Sequence, residues 1–162
     1  MNRNSKIHRF IKTLKEYSVT MAFGESITCG LASHLLSTTK GTSEVFKGSI
    51  VCYNEEVKTD LLKIPRKYIE KHSAESRQVT DAVARSLKKF FKASVYAAVT
   101  GLAAPGGSER KDKPVGTVFY TIIYKNKLSR FRKVFRGSPL EVREKACMHL
   151  YDLILKKVKS SS

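Results

Sequence analysis

Val19 to Phe23 is a mainly apolar run ended by Gly24, and Glu25-Ser26-Ile27-Thr28-Cys29-Gly30 then leads into leucines at 31, 35 and 36, spaced for one face of a helix. A buried strand, a tight turn carrying hydroxyls and a helix follow one another directly. This order puts Ser26 and Thr28 at the carboxyl end of a strand and near a helix N-terminus. Unpaired backbone N–H groups there can meet an anion or a developing oxyanion. A hydroxyl in such a place also serves as an ordinary helix cap, so the segment alone leaves both roles open.

The rest of the chain repeats the alternation. Ile7, Phe10, Ile11 and Leu14 follow helical spacing, which predicts an amphipathic helix over about 4–17. Gly48 to Tyr53 reads as a second buried strand, and Asn54 with Glu55 and Glu56 suits the start of a helix reaching about Leu62, before Pro65. Tyr53 then stands at a strand end and Lys58 one turn into the helix. If the first two strands are parallel neighbours, Ser26, Tyr53 and Lys58 converge on the edge where open α/β sheets bind ligands. Ser73 is expected to cap a long helix with an apolar stripe of Val79, Ala82, Val83, Leu87 and Phe90. Val95 to Thr100 is a third strand. It runs into Gly101-Leu-Ala-Ala-Pro-Gly-Gly107, whose glycines let backbone N–H groups approach a phosphate or carboxylate. Residues 108–113 read as a charged, mobile loop. Val115 to Tyr124 and Leu128 to Phe135 read as a hairpin about Lys125-Asn126-Lys127. Ser138-Pro-Leu-Glu141 is a capping box that opens a last helix, with a basic tail from about Lys156 expected to fray.

Length and composition narrow the classes. A chain of 162 residues with 41% hydrophobic content is expected to form one domain over 1–162. No apolar run approaches the roughly 20 residues that span a bilayer, and the first residues lack the apolar segment of a secretion signal, so the cytoplasm is expected. Three cysteines and four histidines are scattered without metal, redox or disulfide spacing, so no metal is expected. Lys and Arg total 31 against 14 Asp and Glu, a net charge of +17 that attracts phosphates of any kind. These cations are spread over the chain, a pattern that a solvated basic surface also produces. Weak electrostatic contact with nucleic acid is the corresponding expectation.

Several loops together resemble one family, the C-terminal domain of the competence/damage-inducible protein CinA, the nicotinamide-nucleotide amidases. The resemblance covers about residues 7–155. Its Glu-Ser-x-Thr-Gly-Gly motif is similar to Glu25 through Gly30, and its Gly-Tyr-Lys segment to Gly48, Tyr53 and Lys58. Its Thr-Gly-Ile-Ala-Gly-Pro-Gly-Gly loop resembles Thr100 through Gly107, and Lys113-Pro-Val-Gly-Thr117 follows in order. The resemblance implies hydrolysis of the carboxamide of nicotinamide mononucleotide, a small-molecule nucleotide, without metal or redox cofactor. It implies Ser26 as nucleophile, Lys58 as base and Tyr53 as an aid to proton movement. A serine hydroxyl attacks only when a neighbour takes its proton, and a lysine does so only where burial or positive surroundings favour its neutral form. Glu25, Thr28, Gly30, Thr100, Gly101, Gly106 and Gly107 are the expected substrate-binding residues. The fold expected is a three-layer α/β/α sandwich with a mixed, mainly parallel sheet and a C-terminal hairpin, in a stand-alone domain that forms a homo-oligomer. The alternative expectation is an inactive nucleotide- or nucleic-acid-binding protein on the same scaffold. Three positions depart from the family pattern. Cys29 and Ala104 replace glycines, and the Gly-Asp-Arg before the last helix appears as Gly137-Ser138-Pro139, leaving Arg136 or Arg143 as the substitute cation.

Overall fold

The computed structural model describes residues 2–160. Helix α1 (Arg3–Glu16) leads to strand β1 (Met21–Glu25), helix α2 (Leu31–Ser37), the short helix α3 (Thr42–Val45) and strand β2 (Phe46–Val51). A π-helical turn (Val57–Leu61) precedes helices α4 (Arg66–His72) and α5 (Arg77–Ser86). Strands β3 (Val95–Gly101), β4 (Thr117–Tyr124) and β5 (Lys127–Val134) then lead to helix α6 (Pro139–Lys159).

The five strands form one sheet in the order β2-β1-β3-β4-β5. β1 is parallel to both neighbours, whereas β3–β4 and β4–β5 are antiparallel. The carboxyl ends of the three parallel strands therefore stand side by side, with β1 in the middle. The expected three-layer sandwich is the fold observed, and its hairpin is β4–β5, closed off by α6. Residues of α1, α2 and α6 fill the core on one face of the sheet. Phe10 stacks on Tyr151 at 4.8 Å, and both are buried. Each such fully buried large side chain contributes roughly 1.5–3 kcal/mol. On the other face, α4, α5 and the segment after β2 cover a second cluster that includes Cys52, Leu62, Val79 and Val83. α5 lies so close to β1 that a Cβ on Gly24 would stand 2.4 Å from the Val83 side chain.

Local details differ from the sequence expectation for clear reasons. Ser76, not Ser73, caps α5, its hydroxyl accepting from the Val79 amide at 3.2 Å. Ser73 instead ends α4, a helix that the pattern around Pro65 concealed, with φ +66°. Phe90 lies beyond the end of α5 and is exposed, so it is no part of the stripe. The loop 108–113 is tied down: Lys113 is buried, and its amine donates to Ser73 Oγ (2.9 Å), the Glu75 carbonyl (3.0 Å) and Ser108 Oγ (2.6 Å). α6 continues to Lys159 because Val158 still reaches the core; residues 161 and 162 of the expected tail lie outside the described residues. β5 is a sheet edge carrying Lys127, Arg130, Arg132 and Lys133. No helix among the described residues is long and apolar enough to cross a membrane.

Candidate active site

Main-chain hydrogen bonds beyond the strand ends fix the turn that carries Ser26. The Ser26 amide donates to the Val99 carbonyl (3.0 Å) and the Cys52 amide to the Glu25 carbonyl (2.8 Å). The start of the 26–30 turn is thus fixed between the ends of β2 and β3. A cavity of about 270 Å³ opens there, lined by Ser26, Tyr53, Gly101, the loop to Gly107, and Arg143 of α6. The Ser26 side chain makes no hydrogen bond among the described residues, so it is not a cap. Tyr53 is 58% exposed and also lines the cavity, which removes it from the core.

The N–H groups expected to be open at the start of α2 are occupied by the chain itself. Glu25 is fully buried, and its carboxylate accepts from the amides of Gly30 (3.0 Å), Ala32 (3.1 Å) and Ser33 (3.0 Å). It also accepts from the hydroxyls of Thr28 (2.7 Å) and Ser33. Glu25, Thr28 and Gly30 therefore form an internal bracket behind Ser26. A carboxylate at a helix start satisfies orphan donors and meets the positive end of the dipole. Thr100 is likewise buried, and its hydroxyl pairs with that of Thr80 at 2.8 Å. Gly101 lines the cavity, and a Cβ there would stand 2.4 Å from the Thr117 carbonyl oxygen, so the position is held to glycine. The Gly106 and Gly107 amides donate to the Glu109 carboxylate at 2.7 and 2.8 Å, and the Gly106 amide leads in holding that carboxyl below the usual range.

Lys58 is 1% exposed, which excludes a solvated helix face. Its amine donates to the Cys52 carbonyl at 2.6 Å and lies 3.5 Å from that of Tyr53. No hydrogen bond links it to Ser26 among the described residues. Cys52 is tied through its amide to the Glu25 carbonyl, and Lys58 itself is not among the residues that line the cavity. Burial pushes the Cys52 thiol up, leaving it an inert core group beside the amine. Of the two candidate arginines, Arg143 reaches the cavity, with Nε on the Ile27 carbonyl at 3.0 Å. Arg136 is exposed and is not in the lining. Sequence reasoning missed Glu75, which lines the cavity from the α4–α5 junction; nothing in its local sequence marks it.

The model of the CinA C-terminal domain matches residues 4–158. The chain belongs to the CinA C-terminal domain family. It is 37% identical over 149 residues to a CinA-like protein of Petrotoga mobilis, covering 89% of this chain and 36% of the relative. It is 33% identical over 152 residues to a putative competence-damage inducible protein of Bacillus mycoides, covering 93% and 36%. The chain thus spans about a third of the length of these curated relatives. Among solved structures, a CinA superfamily protein from Klebsiella pneumoniae superposes with a TM-score of 0.91 at 21% identity, covering 99% of both chains. A competence/damage-inducible protein from Agrobacterium tumefaciens gives 0.86 at 24%, covering 95% of this chain and 94% of that one. At these identities the likeness is one of fold.

Against the CinA pattern, Cys29 takes φ +49° and is exposed, at a position built for glycine. The left-handed conformation costs a side-chain-bearing residue about 1–2 kcal/mol, partly offset by glycine's greater freedom when unfolded. Cys29→Gly is expected to raise stability by about 0.5–1 kcal/mol, read as a higher urea midpoint at unchanged slope. A lower midpoint would count against strain at this turn. Ala104 needs no such allowance, since it is not among the positive-φ residues.

Proposed function

We propose that this CinA domain is a nicotinamide-nucleotide amidase, converting nicotinamide mononucleotide and water to nicotinate mononucleotide and ammonia. One observation carries the reading: a serine hydroxyl with no hydrogen-bond partner among the described residues lines a cavity at converging parallel strand ends, and a buried lysine amine is bonded to the Cys52 carbonyl just past the neighbouring strand β2. Ser26 Oγ attacks the carboxamide carbon while Lys58 takes the hydroxyl proton. A neutral amine donates two N–H bonds and keeps one lone pair. The Cys52 and Tyr53 carbonyls account for the two donors, leaving the lone pair for Ser26. The protonated amine then returns its proton to the leaving nitrogen, so ammonia departs from the acyl-serine. Water enters by the same route in reverse and releases the carboxylate. Tyr53, which also lines the cavity, aids that proton movement. Arg143 takes the substrate phosphate, supplying the charge that the missing Gly-Asp-Arg would have given. A phosphate that reaches the Gly106 and Gly107 amides takes the place of Glu109.

Incubation with nicotinamide mononucleotide is expected to release ammonia and nicotinate mononucleotide in equal amounts. No ammonia above a protein-free blank, at enzyme concentrations near those of substrate, would remove this reading.

A further inference from the structure

A second and larger cleft of about 700 Å³ lies beyond the start of α5, against the face of β4 and β5. Three separate segments bring six cations to it: Lys71 and Arg77 from the α4–α5 region, Arg110 and Lys113 from the loop, and Arg130 and Arg132 from β5. Only two carboxylates, Glu75 and Asp112, join them in the lining, an excess of four positive charges. Some of that charge is already engaged. Arg110 pairs with Asp112 at 2.6 Å, and Arg130 with Asp81 at 2.7 Å. Lys71 and Arg77 make no ion pair among the described residues, and both are exposed. Among the described residues the Arg132 guanidinium donates to the Asp112 carbonyl, and it lies 6.0 Å from the centre of the Phe119 ring, which also lines the cleft.

Concave walls lined by one sign of charge focus the field and concentrate counter-ions. The volume falls in the range, roughly 300–1,000 Å³, of small-molecule sites. An aromatic ring beside an arginine plane offers stacking to a base, and guanidinium groups bind phosphate oxygens two at a time. Inorganic phosphate would use only part of this surface. An extended nucleic acid would need a track that continues past it. We propose that this cleft binds a nucleoside di- or triphosphate, with the phosphates held by Lys71, Arg77 and Arg132 and the base against Phe119. The site is separate from the Ser26 cavity, although Glu75 borders both, and it does not depend on the amidase reading.

Fluorescence anisotropy of a ribose-labelled ATP, and calorimetry with ATP, at 0.15 M salt test this on the whole chain. Adenosine, tripolyphosphate and a 20-nucleotide single strand serve as comparisons. Saturable one-to-one binding of ATP is expected, tighter than that of tripolyphosphate or adenosine. Arg77→Ala and Arg132→Ala should each weaken it roughly 10-fold, the usual scale for losing one charge-assisted contact. Both side chains are exposed, so the variants should keep the native circular dichroism. Ser26→Ala should leave the dissociation constant unchanged. The proposal is overturned by absence of saturable ATP binding up to millimolar concentration, or by variants that bind as wild type does. Tripolyphosphate binding as tightly as ATP also overturns it, as does an oligonucleotide binding more tightly with a salt dependence of many phosphates.

Discussion

Ser26→Ala is expected to abolish ammonia release from nicotinamide mononucleotide while leaving the unfolding transition within about 0.5 kcal/mol of wild type. The hydroxyl makes no hydrogen bond among the described residues, so its removal orphans nothing. Its amide contact to Val99 survives in alanine. The rate should fall by several powers of ten, on the order of 10⁴ or more, because the attacking atom is gone. Lys58→Met should fall comparably, since no group then takes the serine proton. Lys58→Arg should be nearly as inactive as Lys58→Met, because a guanidinium stays protonated. Residues acting as a unit are non-additive, so the Ser26→Ala/Lys58→Met double variant should be hardly slower than either single one. Multiplying losses in the double variant would mean that the two side chains act in separate steps. Undiminished activity in Ser26→Ala would remove it as nucleophile.

Glu25→Gln, which alters a single atom pair, should be among the most destabilising conservative changes in the chain. Five donors converge on the two carboxylate oxygens, all within a buried turn. An amide keeps one acceptor and points its NH₂ at groups that also donate. Either the pair of amides from Gly30 and Ala32 or the amide of Ser33 then loses its partner. Unsatisfied buried donors cost about 1–3 kcal/mol each, and bonds to a charged acceptor exceed neutral ones. A loss of about 3 kcal/mol or more is expected by urea unfolding, a large share of an ordinary domain's stability. The surviving folded fraction should turn over poorly, because the same bracket positions Ser26. A loss below 1 kcal/mol would show that the bracket is not what holds this turn.

The same residue shows what a sequence can and cannot disclose. Strand, turn and helix at 19–37 were legible because apolar spacing is a local signal, and so was the Ser138 capping box. That Glu25 would fill the N–H groups at the start of α2 was not, since the fit depends on the path of a turn rather than on residue types. The boundary between α4 and α5 was blurred for a related reason. Two serines lie three positions apart there, and in the fold Ser76 accepts from the Val79 amide while Ser73 ends α4 and takes a bond from Lys113. Lys113 itself sits among Arg110, Lys111 and Asp112, a setting that reads as solvent until the chain folds back onto Glu75. The meeting of Ser26 and Tyr53 in one cavity was foreseeable because parallel strands deliver their carboxyl ends to one edge, whereas Lys58 is buried on the Cys52 carbonyl and does not join that lining. The basic cleft was not, because its cations are separated by up to about sixty residues and meet only across the sheet.

The basic edge strand bears on how copies of this protein meet one another. An edge exposes unpaired N–H and C=O groups and is a template for strand addition by a neighbouring copy. Two β5 strands laid side by side would bring four cations of one copy against four of the other. Coulomb repulsion at strand spacing then opposes sheet-to-sheet growth in dilute buffer, and it weakens as salt shortens the screening length. A bound polyanion would lift the same barrier locally. Self-association that follows from low salt must therefore use a surface other than this edge, whereas clumping that sets in with salt or polyphosphate would point to it.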